Sequence, residues 1–274
     1  MRRKWILWTA LALAAALLAG WLLLLYDAAL LPSLSPRVTV LMYHDVVPDG
    51  SPTNGMQVTA SRFEADMRWL QDNGYTTVLP RELASGEPLP DKAVMVTLDD
   101  GYAGNYNYAF PVLQKLNMKA TIAVVVSLVD QNGMLSWDMC REMSRSGLVE
   151  IGTHTYNLHN LDGRGGMFQE GEANGIQHRE GESLEEFDAR VLDDLRLSIE
   201  RIEDELGEPV TYMAYPFGAV EPWAEEFIQE HLAVTVTTHE GTAYLSGGLY
   251  ELPRKMVSMF RSAEECFQIL WRYR

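Results

Sequence analysis

The chain has 274 residues with 47% hydrophobic and 22% charged residues, a composition that is typical of a globular protein and excludes a disordered polymer. Its formal net charge of −16 argues against nucleic acid as a partner, because phosphate binding needs clustered Lys and Arg. The two cysteines, Cys140 and Cys266, are too few and too far apart in sequence to imply a disulfide framework.

The N-terminus carries a candidate membrane segment. Basic residues at positions 2–4 precede an apolar run from Trp5 to Tyr26, which at about 1.5 Å of rise per residue spans a bilayer core of roughly 30 Å. Ala19-Gly20 is followed by further apolar residues, which favours an uncleaved transmembrane helix over a cleaved signal peptide. The basic residues are expected to remain on the cytoplasmic side of the membrane, so the rest of the chain lies outside. We therefore predict a single-pass cell-membrane protein with an anchor (1–26), a tether (27–36) and an extracytoplasmic domain (37–274).

The rest of the chain predicts an α/β fold. Apolar, β-branched runs alternate with amphipathic stretches, which is typical of βα units with a parallel sheet and helices outside. The longest helical pattern runs from Leu184 to Leu206, between Ser183 and Gly207, whereas Asn160 to Glu182 has no apolar period and is predicted to be a surface loop. Seven strands predict an incomplete (β/α) barrel. They are Val38–Tyr43, Tyr75–Val78, Ala93–Leu98, Ala120–Val126, Val149–Gly152, Thr211–Tyr215 and Ala233–Thr237.

Polar residues follow several of these strands. His44 follows the first, Asp99 and Asp100 the third, His154 the fifth and His239 the seventh. Barrels of this type carry their chemistry on loops after the C-terminal ends of the strands. The pattern therefore predicts one site at that face.

Asp99 and Asp100 are adjacent carboxylates, which repel each other unless a cation or a proton gives them different roles. Gly101 permits a sharp turn that can bring both into one pocket. His154 and His159 supply imidazoles suited to zinc. Their spacing of five places them on a loop, since positions i and i+5 of a helix point about 140° apart. Each motif alone can be an ordinary turn or a pair of structural histidines, but together they favour a metal site.

Two histidines and one carboxylate leave an open position, as in catalytic rather than structural zinc sites. We assign Asp100, His154 and His159 as ligands of a divalent metal, expected to be Zn2+. Asp99 is then the general base that takes a proton from the attacking water.

An acid must protonate the leaving nitrogen, and histidine is the side chain whose ordinary pKa suits this task. His44 and His239 are both candidates. The developing oxyanion needs a donor, which the backbone N–H of Phe217 could supply. The residues expected to contact the substrate are Tyr102, Tyr215, Pro216 and His239.

From about Val38 to Val257 these motifs resemble the polysaccharide deacetylase family, the family four carbohydrate esterases built on a NodB-type domain. In that family a Thr-Phe-Asp-Asp-Gly motif supplies the base and one metal ligand, which matches Asp99 and Asp100 with Leu98 in place of Phe. A second motif supplies two metal-binding histidines, matching His154 and His159.

The chain departs from the commonest form of the family in two places. The usual histidine spacing is four, and an Arg usually stands at the position of Ala214, so the Arg that orients the base is missing there. Both departures resemble the branch of poly-N-acetylglucosamine deacetylases. In that branch a histidine in the Tyr-His-Asp-Val segment also enters the site, which favours His44 over His239 as the acid. The resemblance implies a distorted barrel with fewer than eight strands, a divalent metal and N-acetylated glycans as substrate.

The predicted function is metal-dependent removal of N-acetyl groups from a cell-surface polysaccharide that contains N-acetylglucosamine, either an exopolysaccharide or peptidoglycan. Two alternatives remain open. One is O-deacetylation of acetylated glycans by the same groups, and the other is a non-catalytic, tethered glycan-binding module, which the missing Arg favours. We expect an acetylated glycan as partner, membrane contact through the anchor, and a monomer.

Overall fold

The computed structural model describes residues 36–159 and 175–268, in which strands and helices alternate along the chain. The strands are β1 (Arg37–Tyr43), β2 (Asp45–Val47), β3 (Gln57–Thr59), β4 (Thr76–Thr77), β5 (Ala93–Leu98), β6 (Ala120–Val124), β7 (Val149–Thr153), β8 (Tyr212–Ala214), β9 (Val234–Glu240), β10 (Ala243–Tyr244) and β11 (Leu252–Met256). The helices are α1 (Ala60–Asp72), α2 (Pro80–Ala84), α3 (Phe110–Leu116), α4 (Trp137–Arg145), α5 (Leu184–Phe187), α6 (Asp193–Leu206), α7 (Glu225–His231) and α8 (Ala263–Gln268).

Seven strands form a ring of parallel neighbours. Their order is β1, β11, β9, β8, β7, β6 and β5, and the pairing of β5 with β1 closes the ring. Outside it, β10 pairs antiparallel with β1, β4 pairs with the first residues of β5, and β2 pairs with β3. The predicted parallel (β/α) barrel of seven strands is confirmed. The sequence predicted an incomplete barrel, but the pairing of β5 with β1 closes the ring.

The membership of the ring differs from the prediction at one strand. The predicted strand Tyr75–Val78 is only the two-residue β4, whereas the seventh ring strand is β11, which the sequence analysis missed. β11 reads Leu-Pro-Arg-Lys-Met, and Pro and adjacent charges are depleted in strands. The apolar pattern that identified the other six is therefore absent from it.

Side chains of the ring alternate between two cores. Along β1, Val38 and Val40 face the barrel interior, while Leu41 and Tyr43 pack in the larger core that includes helix residues such as Phe63. The same period of two separates Ala93 and Met95 from Val94 and Val96 along β5. The interior is apolar towards the N-terminal ends of the strands, so its polar groups collect at the C-terminal ends.

The long predicted helix is confirmed. α5 continues through a π-helical turn (Asp188–Leu192) into α6. Ser183 caps its start in a capping box with Glu186, and Gly207 ends it with φ of 73°.

The predicted loop Asn160–Glu182 is described only in part. Residues 175–182 contain no helix or strand, and 160–174 lie outside the described residues.

The predicted membrane anchor, Trp5–Tyr26, lies outside the described residues. In the ranges that the structure describes, no helix is long and apolar enough to cross a membrane. Cys140 and Cys266 are both buried free thiols.

Candidate active site and metal centre

A cavity of about 690 Å³ lies at the C-terminal ends of the ring strands. Seven of the ten residues assigned to the site from sequence line it. They are His44, Asp99, Asp100, His154, His159, Tyr215 and Phe217. Residues that follow four separate ring strands thus meet in one place, as the barrel rule predicts.

Asp99 continues the inward-facing row of β5 and is almost fully buried, at 2% exposure. Its carboxylate forms a two-pronged ion pair with Arg254 of β11, with Nη1–Oδ1 at 2.8 Å and Nη2–Oδ2 at 2.7 Å. Arg254 is itself fixed, since its Nε donates to the Thr237 carbonyl at 2.7 Å and Nη1 also reaches Thr97 Oγ1 at 3.1 Å. The planar guanidinium therefore sets the orientation of the carboxylate.

The ion pair also sets the charge of Asp99. Burial raises the pKa of this carboxyl, but the charge and hydrogen bonds of Arg254 outweigh burial and hold the pKa well below its usual range. Asp99 is consequently ionised at neutral pH. Arg254 was not predicted from the sequence as a site residue. It contacts the carboxylate of Asp99, although the Arg that usually orients this base in the family is replaced by Ala214.

Asp100 leaves the strand in a strained conformation. Its φ is 74°, and that of Gly101 is 83°, so two consecutive residues occupy the left-handed region that side chains disfavour. A Cβ on Gly101 would also lie 3.0 Å from Val124 Cγ1. The sharp turn predicted at Gly101 is confirmed, and it brings both carboxylates to the cavity wall.

Asp100, His154 and His159 converge. Asp100 Oδ1 lies 3.6 Å from His154 Nε2 and 3.3 Å from His159 Nε2, and one ligand atom from each residue falls within 4.8 Å of the other two. Among the described residues, the buried Asp100 Oδ1 has no hydrogen-bond partner. One carboxylate and two imidazoles at this spacing, with the carboxylate oxygen unpartnered, fit a divalent cation.

His154 is prepared for such a role. Its Nδ1 lies 2.6 Å from the carbonyl oxygen of Ala214, and because a carbonyl only accepts, Nδ1 carries the proton and Nε2 presents its lone pair to Asp100. Burial, reinforced by the neighbouring His159, lowers the pKa of His154 to about 4. The imidazole is neutral, as a metal ligand must be.

The loop that carries the two histidines is held in place from α6. Asp194 accepts from the backbone N–H of Tyr156 at 2.8 Å and from that of Asn157 at 2.9 Å. Thr155, with φ of 72°, accepts the N–H of Leu158 through its hydroxyl at 3.0 Å. This turn brings His159 back towards His154, with 4.5 Å between their ring centroids. The spacing of five therefore works on a loop, as expected.

His44 lies between β1 and β2, lines the cavity and is 7% exposed. Asp99 lines the same cavity. Within the described ranges, His44 Nδ1 is buried and has no hydrogen-bond partner. A ring nitrogen in this state can exchange a proton with a bound molecule.

The segment after β8 shapes another wall. Phe217 adopts φ of 57°, and its ring lies 4.8 Å from that of His159. Tyr215 presents its ring to the cavity, but its hydroxyl donates to Glu225 at 2.6 Å. Pro216 is buried at the first position of the short 3-10 turn Pro216–Gly218, so it shapes the turn rather than lining the cavity.

Two predicted substrate contacts are placed elsewhere. His239 is exposed and does not line the cavity, because the alternation of β9 turns Thr238 and Glu240 towards it instead. Tyr102 also lies outside the lining. Burial, reinforced by the neighbouring Asp100 carboxylate, raises the pKa of its hydroxyl. Tyr102 therefore remains protonated and adjoins a candidate ligand.

Residues 86–236 match the model of the family described as polysaccharide deacetylase. The chain belongs to the polysaccharide deacetylase family. It is 31% identical over 227 residues to YxkH of Bacillus subtilis (strain 168), which is assigned to the polysaccharide deacetylases, and the match covers 81% of this chain and 72% of YxkH. The predicted family and the expectation of a deacetylase enzyme are confirmed.

Other polysaccharide deacetylases resemble the chain over shorter or more distant matches. Identity is 34% over 138 residues to the poly-beta-1,6-N-acetyl-D-glucosamine N-deacetylase of Escherichia coli (strain K12), which covers 43% of this chain but 20% of that protein. The structure of a de-N-acetylase from Aggregatibacter actinomycetemcomitans superposes with a TM-score of 0.73 at 26% identity, covering 85% of this chain and 99% of that one. These similarities support the predicted branch of the family.

Proposed function

We propose that this deacetylase removes N-acetyl groups from a polymer of β-linked N-acetylglucosamine in a metal-dependent reaction. The observation that carries the proposal is the convergence of Asp100, His154 and His159, with ligand atoms within 4.8 Å of one another, beside the ionised Asp99. Similarity to the E. coli N-deacetylase supports the choice of the N-acetylglucosamine polymer.

Asp100, His154 and His159 would hold the cation, for which we propose Zn2+. A divalent cation held there would polarise the substrate carbonyl and ease ionisation of a water molecule. Asp99 would accept the proton of the attacking water as general base. Its pairing with Arg254 fixes the carboxylate and keeps it ionised at neutral pH.

Collapse of the tetrahedral intermediate expels an amine, which must gain a proton. His44 fits this task because it lines the cavity and shares it with Asp99. The backbone N–H of Phe217 is proposed as the donor to the oxyanion. The exposed His239 is not part of this scheme.

The cellular setting is a second part of the proposal. An apolar run from Trp5 to Tyr26 behind three basic residues supports a membrane anchor with the domain outside the cytoplasm, as a monomer. There the enzyme would reach a nascent exopolysaccharide or peptidoglycan. Protease treatment of intact cells tests this, since the proposal requires that the tethered domain be cleaved without lysis.

The activity test is acetate release by the purified full chain with Zn2+. The substrates are poly-β-1,6-N-acetylglucosamine, chitooligosaccharides, peptidoglycan and acetylated xylan, with Asp99→Asn as the inactive control. We expect acetate from at least one N-acetylated glycan. Release from acetylated xylan alone would instead establish an O-acetyl esterase. Failure of the metal-loaded protein on all four would favour the tethered glycan-binding module.

A further inference from the structure

An aromatic pair lies on the surface next to the catalytic cavity. Trp223 is 40% exposed, although large aromatic side chains are mostly buried. Its ring stacks on that of His178, with centroids 4.8 Å apart and an interplanar angle of 19°. The buried ring of Phe187 packs against Trp223 at 5.4 Å in an edge arrangement. The two outer rings form what we call the aromatic shelf, defined as His178 and Trp223.

A buried carboxylate fixes the shelf. Glu221 is 2% exposed and would lose much hydration energy without partners. Its Oε2 accepts from the backbone N–H of His178 at 2.8 Å and lies 3.1 Å from His178 Nδ1, while its Oε1 accepts from the N–H of Trp223 at 3.1 Å. One side chain therefore positions both residues. Because the Trp223 ring is in addition packed between His178 and Phe187, binding to the shelf costs little conformational entropy.

The shelf borders a depression that continues from the catalytic cavity. The depression has a volume of about 350 Å³ and is lined by His178, Glu221 and Trp223, among others. Gln177 lines both this depression and the catalytic cavity. Ala219 lines the cavity and the next residue, Val220, lines the depression. A chain of sugars that leaves the cavity on this side reaches the shelf directly.

We propose that the aromatic shelf is a glycan subsite that binds a pyranose ring next to the one being deacetylated. This inference rests on the proposed function. The ring C–H groups of a pyranose are weakly positive and pack against the negative face of an aromatic ring. Both exposed rings are flat and offer a face for stacking, so the shelf selects for sugar polymers over single sugars without reading the acetyl group.

The test compares substrate lengths in the Zn2+-loaded full chain. For Trp223→Ala we expect KM for an N-acetylglucosamine hexasaccharide to rise about ten-fold, as when a tryptophan is removed from a binding site, with kcat unchanged. N-Acetylglucosamine itself, which has no second ring to place on the shelf, should show no change. Trp223→Phe should restore most of the hexasaccharide affinity, and His178→Ala should weaken it as Trp223→Ala does.

Tyr244→Ala is the matched control. Tyr244 is also exposed, at 44%, but it pairs with Arg37 at the opposite end of β1 from the site. Its loss should leave both substrates unaffected. Equal KM values for the hexasaccharide in Trp223→Ala and in the unaltered protein would overturn the inference while leaving the proposed function intact.

A binding measurement separates the two proposals. Titration of Asp99→Asn with the hexasaccharide should give a dissociation constant about ten-fold lower than that of the Asp99→Asn, Trp223→Ala double variant. If the unaltered chain releases no acetate but this difference is found, the subsite stands and the proposed reaction fails. If the two constants are equal, the subsite fails whatever the activity.

Discussion

Arg254 and Asp99 form a fully buried, two-pronged ion pair between residues 155 positions apart in the chain. The family resemblance had indicated that the Arg which orients the base was missing at Ala214. The structure supplies a guanidinium from a different strand, β11, in contact with both oxygens of the same carboxylate. The loss of an Arg at Ala214 therefore does not favour the non-catalytic alternative.

We expect Arg254→Met to lower kcat/KM at neutral pH about 10- to 100-fold, the usual effect of removing a group that orients a site residue. The pKa of Asp99 is depressed by Arg254, so removal of the cation raises it. The base is then protonated at higher pH, and the acidic limb of the pH profile should move up by about 1 to 3 pH units. A pH profile of acetate release measures this shift.

Loss of a buried partner also costs about 3 to 5 kcal/mol of stability. Arg254→Lys provides a second variant that keeps the charge, and its acidic limb should move less than that of Arg254→Met. Arg68→Met removes an Arg paired with Glu64 on the exposed face of α1 and should change neither activity nor pH profile. An unshifted limb in a folded Arg254→Met protein would contradict the assigned role.

Asp99→Asn should reduce turnover about 100- to 10,000-fold, because an amide cannot accept the proton of the attacking water. The candidate ligands Asp100, His154 and His159 are untouched, so Zn2+ should bind as tightly as in the unaltered protein. Acetate release and calorimetric titration with Zn2+ measure the two quantities. Retained turnover would mean that another group is the base.

Asp194→Ala should weaken Zn2+ binding about 10- to 100-fold. Asp194 holds two consecutive N–H groups of the loop that positions His154 and His159, and without it the loop loses its defined turn. Asp193→Ala is the matched control, because the carboxylate of Asp193 pairs with Arg196 on the helix surface and not with the loop. The hypothesis fails if the two variants bind Zn2+ with the same affinity.

Acidification should destabilise the metal-free protein through His154. Its folded pKa is about 4, below the usual value of about 6.5 in the unfolded chain, so the unfolded state binds more protons between these values. The contribution is present above about pH 6.5 and is lost as the pH falls towards 4, amounting to about 2 kcal/mol between pH 7 and pH 5. Urea unfolding after chelation measures the loss.

The comparison for this prediction is His154→Gln, whose unfolding free energy should depend less on pH over the same interval. Only the slope with pH is compared, since the substitution also changes stability at every pH. Equal slopes in the two proteins would show that another group is responsible.

The fold could be predicted where burial and sequence pattern agree. Six ring strands carry apolar, β-branched runs, and the helix from Leu184 to Leu206 has both a capping box and a terminal glycine. β11 could not be found in this way because two of its buried residues are Arg254 and Lys255. The signal it did contain was a period of two, since Leu252, Arg254 and Met256 all face the barrel interior or the cavity.

The candidate metal ligands could be predicted because adjacent carboxylates and paired histidines at strand ends are unusual without a cation. The surrounding contacts could not. Asp194 lies on a surface-facing helical pattern, and nothing in its local sequence indicates that it bonds to a loop 37 to 38 residues earlier. His239 was misplaced by a single position, since both its neighbours on β9 face the cavity. Because successive side chains of a strand point to opposite faces, an error of one position puts the residue on the wrong face.

The late position of β11 has a consequence for biosynthesis. During synthesis, Asp99, Asp100 and both histidines are part of the nascent chain well before Arg254 is added. Until then the ring lacks a strand between β1 and β9, and Asp99 would have to enter an apolar interior without a counter-charge. The strand that completes the ring therefore also brings the counter-charge of Asp99, so a chain without β11 has neither a closed barrel nor an oriented Asp99 carboxylate.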